Sequence, residues 1–80
     1  MNEEIWKNIS KSTLKFELLK KSIDYNQLSK KLLEIGIVES PSNINSKINR
    51  GTFSFIFFMQ CMQAINTKNI IFEIKETTNE

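Results

Sequence analysis

Residues 40–58 read SPSNINSKINRGTFSFIFF and join two segments of opposite character at a single glycine. Ahead of Gly51, Ser40 suits a helix N-cap and Pro41 the first helical position, where its missing N–H costs nothing. The spacing predicts a helix running to about Arg50 and ended by Gly51. At about 100° per residue, Ile44 and Ile48 point the same way. The side facing away from them carries Ser42, Ser46, Asn49 and Arg50, flanked by Asn43, Asn45 and Lys47. Two isoleucines would hold such a helix, and nearly every other position offers a hydrogen-bonding group. Beyond Gly51, Thr52 or Phe53 leads into a helix from about Ser54 to Ile65 in which only Gln60 and Gln63 are clearly polar. A helix apolar nearly all round needs cover on most sides, and 80 residues supply little material for it.

Working back from this stretch, Asp24 precedes YNQLSKKLLEIG and is the expected N-cap of a helix from Tyr25 to Ile35, stopped by Gly36. Leu28, Leu32 and Ile35 form its expected buried stripe, with Lys30 and Lys31 turned outward. Farther back, Glu3 to Lys21 contains no Gly or Pro and places Ile5, Trp6, Ile9, Phe16 and Leu19 on one side, with Leu14 and Leu18 nearly opposite. Two readings fit this segment. One is a continuous helix whose second apolar side meets another subunit; the other is a break near Ser10 to Thr13, with Ser12 capping a new helix.

Toward the other end, Asn69 to Lys75 alternates Ile70, Phe72 and Ile74 with Ile71, Glu73 and Lys75, which is a strand pattern. A lone strand leaves its backbone groups unpaired, so pairing with its own copy across a two-fold axis is the expected solution. Residues 77–80 read as a disordered tail. The whole of 1–80 reads as a single domain, with 69–75 a strand used in dimerisation.

Composition removes several function classes. The chain has no His, so Ser-His-Asp and Cys-His sites and any His-ligated metal centre are excluded within it. Cys61 is the single cysteine, and its neighbours Met59 and Met62 suit a buried thiol in a reducing compartment. With only Gly36 and Gly51, there is no Gly-rich phosphate loop. Glu3 with Glu4, and Glu73 with Glu76, suit solvated ends and not a catalytic carboxylate pair. The expectation is therefore a protein that is not an enzyme, with no cofactor, no metal and no small-molecule substrate. No secretory signal is visible, and the apolar stretch Phe53 to Met59 is far shorter than the roughly 20 residues a bilayer span needs. No membrane association is expected, and the expected location is the cytoplasm.

Charge is unevenly spread. The formal net charge is +2, yet Lys7 to Arg50 holds nine basic residues against four acidic ones, while Glu3, Glu4, Glu73, Glu76 and Glu80 collect at the ends. A basic centre of this kind is compatible with a surface facing a polyanion. The phenylalanines of 53–58 have no basic residues among them, so they and Trp6 suit core or dimer contacts better than stacking platforms for bases.

A helix, a glycine-containing turn and a second helix make up the helix-turn-helix arrangement, in which the second helix enters the major groove and the first braces it. Ser42, Asn43, Asn45, Ser46, Asn49 and Arg50 would then face base edges, since Arg pairs with guanine, Asn with adenine and Ser with several bases. Lys30, Lys31 and Lys47 would contact phosphates. Arg50 has an equally good structural role, bonded to a carbonyl or carboxylate beside the Gly51 turn.

LSKKL at Leu28 to Leu32, INRG at Ile48 to Gly51 and the later Ala64-Ile65 resemble the phage-repressor-like helix-turn-helix domains. Ser29 stands where that pattern commonly has Ala, Asn49 where it has Glu, and Gly36 comes about one helical turn later. YNQLSKKLLEIG and NINSKINRGTFSFIFFMQ more closely resemble a family of small uncharacterised bacterial proteins with Y-x-x-L-x-x-x-L-x-x-x-G followed by N-I-x-x-K-I-x-R-G-x-F-S-x-x-F-x-x-Q. That likeness covers roughly Leu14 to Ile65.

The expected architecture is all-α: a four- to five-helix, repressor-like helix-turn-helix domain with a short C-terminal β-strand. The expected function is sequence-specific binding of duplex DNA by a homodimer, as a small transcriptional regulator. Two recognition helices about 34 Å apart would read a palindromic site. The alternative is a protein-interaction module or antitoxin-like accessory protein that keeps the helix-turn-helix shape.

Overall fold

The computed structural model describes residues 2–70 and contains four helices, α1 (Glu3–Lys20), α2 (Tyr25–Glu34), α3 (Pro41–Arg50) and α4 (Phe55–Ala64). Every one begins at a side-chain cap. Asn2, Asp24, Ser40 and Ser54 accept from the backbone N–H three residues ahead, which satisfies one of the amides a helix start leaves open. At α2 the cap is reciprocal: Gln27 N–H donates to Asp24 and the Gln27 side chain accepts from the Asp24 N–H, at 2.8 and 2.9 Å.

Three of the helix ends share one solution. Ser22, Gly36 and Asn66 take left-handed backbone after α1, α2 and α4. The next residue in each case then donates back across the turn: Ile23 to Leu18, Ile37 to Leu32 and Thr67 to Met62. Ile23 and Ile37 fold down onto the core as they do so. The helix α3 ends at Gly51 in the left-handed region, with its N–H donating to Ile48.

The core is formed by Leu14 and Leu18 of α1, Leu28 and Leu32 of α2, Ile44 and Ile48 of α3, and Phe57, Phe58, Cys61 and Met62 of α4, with Ile65. The α2 helix sits centrally, packing on α3 and on α4, while α1 packs on α3. Lys21 at the end of α1 donates its ammonium to the carbonyls of Ile65 and Asn66, at 2.9 and 3.2 Å. A cation there satisfies open carbonyls and favours the negative end of α4.

The α1 segment is one unbroken helix, so the break expected near Ser10 to Thr13 does not occur. Thr13 does not open a break; its hydroxyl donates to the Ile9 carbonyl at 2.7 Å within the helix. Leu14 and Leu18 face the domain, and Phe16 and Leu19 lie exposed. Glu17 is the one buried charged residue among those described, and it pairs with Lys20 at 3.1 Å.

One expectation needs correction, and a second falls mostly outside the described residues. Ile35 is 41% exposed and does not extend the Leu28–Leu32 stripe. The helix stops at Glu34, so Ile35 leaves the helical path and Ile37 returns to the core in its place after the Gly36 turn. No strand occurs among the described residues; Asn69 and Ile70 are not in a strand, Ile70 rests against the core, and the rest of the expected strand (71–75) and the tail at 77–80 lie outside the described residues. No helix among the described residues is long and apolar enough to cross a membrane.

Candidate nucleic-acid interface

The rotation of α3 is set by its two isoleucines. Ile44 and Ile48 are fully buried, so Ser42, Asn43, Asn45, Ser46, Asn49 and Arg50 are all left exposed. Gly51 fixes the end of the helix against α1. A Cβ placed on Gly51 would stand 2.6 Å from the Lys7 carbonyl oxygen and 2.9 Å from the Lys7 Cβ. Only a residue without a side chain permits that approach, and φ +72° favours the same residue.

The exposed face is partly ordered by its own bonds. Asn49 donates its side-chain amide to the Asn45 side-chain oxygen one turn earlier, and Arg50 Nε donates to the Ser46 carbonyl at 3.4 Å. That carbonyl lies four residues back within α3 and not beside the Gly51 turn, and the terminal guanidinium nitrogens of Arg50 have no hydrogen-bond or ion-pair partner among the described residues.

Lys47 lies differently from its neighbours. It is half-buried, forms an ion pair with Glu39, and its ammonium sits 4.8 Å from the centre of the Phe57 ring. Its charge is thereby balanced inside the chain. Glu39 belongs to the connection between α2 and α3, and its carbonyl accepts from the Ser29 hydroxyl at 2.6 Å. Ser29, Glu39 and Lys47 together tie the connection to both helices. This gives Ser29 a bonding role that the small Ala of the repressor pattern could not fill.

Lys30 is exposed and Lys31 half-buried on α2, and neither forms an ion pair among the described residues. Lys47 and Arg50 meet at an open pocket with Thr52, Phe53, Ser54 and Phe57; Lys30 and Lys31 do not line it. The pocket sits at the start of α4, where Ser54 Oγ accepts from Phe57 N–H at 2.9 Å and the amides of Phe55 and Ile56 have no intrahelical acceptor. Thr52, Ser54 and Glu39 are the site neighbours that sequence reasoning passed over. Ser54 ahead of an apolar run is a visible cap signal; Glu39 and Lys47 are eight positions apart across a helix start, a spacing that no helical periodicity picks out.

Cys61 is buried, and burial pushes its thiol up to about 12, with nearby Glu39 adding to the rise and Lys47 opposing it. A thiol so held is protonated at neutral pH and suits packing. Among the described residues no three His, Cys, Asp or Glu side chains gather as they would around a metal ion.

Residues 6–70 match the sequence family described as a domain of unknown function, DUF6471. The chain belongs to the DUF6471 family. The match begins within α1 and runs past α4, so this DUF6471 domain comprises the whole core described above. No curated protein and no solved structure matches the chain. The closer of the two likenesses seen in the sequence, to an uncharacterised family, is thus the one supported.

Proposed function

We propose that this DUF6471 domain is a phage-repressor-like helix-turn-helix protein that binds duplex DNA as a homodimer, with α3 as the helix entering the major groove. The observation that carries the reading is the outward face of α3. Six exposed hydrogen-bonding side chains stand on a helix that is rotationally fixed by two buried isoleucines and braced by both α1 and α2. Base edges in the major groove are read by such groups, presented from a helix of this width. Supporting it, α2 and α3 pack on each other in the order that the helix-turn-helix uses.

Within this reading Ser42, Ser46, Asn49 and Arg50 face bases, with Asn43 and Asn45 beside them. Lys30 and Lys31 meet phosphates. Lys47, already balanced by Glu39, contributes less to phosphate binding than its sequence position suggests. A small cytoplasmic transcriptional regulator is the role this activity fits.

Titration of the protein with a mixed-sequence duplex at two salt concentrations tests the reading. Binding at about 50 mM salt that weakens steeply toward 200 mM is expected, because phosphate contacts release counterions. An absence of binding at the lower salt excludes it.

A further inference from the structure

The α4 helix leaves one face uncovered. Phe55 is 68%, Ile56 70% and Met59 50% exposed, while Phe57, Phe58, Cys61 and Met62 of the same helix are buried. On a helix Phe55, Ile56 and Met59 are neighbours, so the three form one continuous apolar surface. Its shape is held from beneath, as the Phe55 ring stacks on the buried Phe58 ring with centroids 6.0 Å apart. An aromatic anchor ordered before binding loses little entropy when it is covered.

We propose that this face of α4 is where a second copy of the chain docks, about a two-fold axis. The argument rests on charge. A two-fold interface sets a surface against itself, so any charge near the axis meets its own like. No charged residue lies between Arg50 and Lys68, and the neighbours of the face, Gln60 and Gln63, are neutral. A surface selected for a partner of different sequence has no reason to avoid charge in this way, and protein interfaces of that kind gain orientation from complementary charges.

The other exposed large apolar side chains fail the same criterion: Trp6 lies beside Lys7, and Leu33, Ile35 and Val38 lie beside Glu34 and Glu39. Phe16 and Leu19 lie beside Lys15 and Lys20, and the Lys20 ammonium already covers Phe16 at 5.0 Å from the ring centre. Pairing two copies there would bring lysines together.

The proposal rests on the homodimer part of the functional reading and not on its DNA part, and the test uses no DNA. Sedimentation velocity of the full chain at micromolar concentration is compared with that of Ile56→Glu, Met59→Lys and, on α1, Leu19→Glu. All three positions are well exposed, and circular dichroism checks that each variant keeps its helices; Ile56→Glu and Met59→Lys are read independently. The expected result is a wild-type dimer, weakened about thirtyfold or more by either α4 substitution, as for the anchor of an interface, and unchanged by Leu19→Glu. A dimer that survives both α4 substitutions overturns the assignment of the face while leaving the homodimer standing. A wild-type monomer overturns both, including the case in which the chain's own remaining residues cover the face.

Discussion

The Lys7 carbonyl oxygen of α1 lies 2.6 Å from the point where a Cβ on Gly51 would stand, so the two backbones meet where α3 ends. This contact aligns α3 against the longest helix, and it makes Gly51 the position least tolerant of a side chain. Gly51→Ala is expected to destabilise the fold by about 2–4 kcal/mol, from positive φ and a clash with backbone that cannot swing aside. Gly36 has similar φ, +84°, with nothing within 4 Å of its would-be Cβ, so Gly36→Ala should cost only about 1 kcal/mol. Urea unfolding of both variants checks this, and equal losses would contradict the role given to the Lys7 contact.

Cys61 supplies a pH dependence with a definite sign. Its folded thiol is pushed up to about 12 from an ordinary 9.0. Above pH 9 the unfolded chain gives up the thiol proton while the folded chain keeps it, so the unfolded state binds fewer protons. Stability from this group is complete below about pH 9 and is lost as pH rises toward 12, at no more than about 1.4 kcal/mol per pH unit. Unfolding measured between pH 8 and 10.5 should show this decline in the wild type and a flatter profile in Cys61→Ala.

Lys21 is expected to act on stability and not on DNA. Its ammonium closes the carbonyl end of α4 through Ile65 and Asn66. Lys21→Gln should cost about 1 kcal/mol in thermal or urea unfolding. The salt dependence of duplex binding should stay the same. A change in that slope would mean that Lys21 leaves α4 to meet a phosphate.

The salt slope also separates Lys47 from Arg50. Because Glu39 balances Lys47, replacing it by Gln should leave the slope of log affinity against log salt nearly unchanged. Glu39→Gln should release the ammonium and steepen the slope by about 0.9, one phosphate contact, and Arg50→Gln should reduce it by a comparable amount where Arg50 meets a phosphate or lower affinity for a selected site where it meets a base. A slope lowered by Lys47→Gln would show that the Glu39 pair opens on DNA.

Most of the local structure was legible in the sequence because helix boundaries depend on a few adjacent residues. Asp24 and Gly36, then Ser40, Pro41 and Gly51, mark the ends of α2 and α3 through bonds made within a turn, and the Ile44–Ile48 spacing alone determines which side of α3 is displayed. What the sequence did not disclose is the choice of partner between distant residues. Lys7 under Gly51, Lys21 on the end of α4 and Glu39 on Lys47 all depend on how the helices cross. The exposure of Ile35 has a local cause: periodicity carried the helix through Ile35, whereas α2 ends at Glu34 and Ile35 is its non-helical cap. The two-sided apolar pattern of α1 was plain, yet only the packing showed that Leu14 and Leu18 are the inner side.

The central claim is that the outward face of α3 meets duplex DNA, and acidic substitution on that face tests it most directly. Asn45 and Asn49 are exposed and bonded only to each other, so Asn45→Asp with Asn49→Asp should leave the core intact. Fluorescence anisotropy with a mixed-sequence duplex at about 50 mM salt should show the wild type binding and the double variant weakened by about tenfold or more. Equal affinity of the two proteins, or no binding by the wild type, would contradict the account.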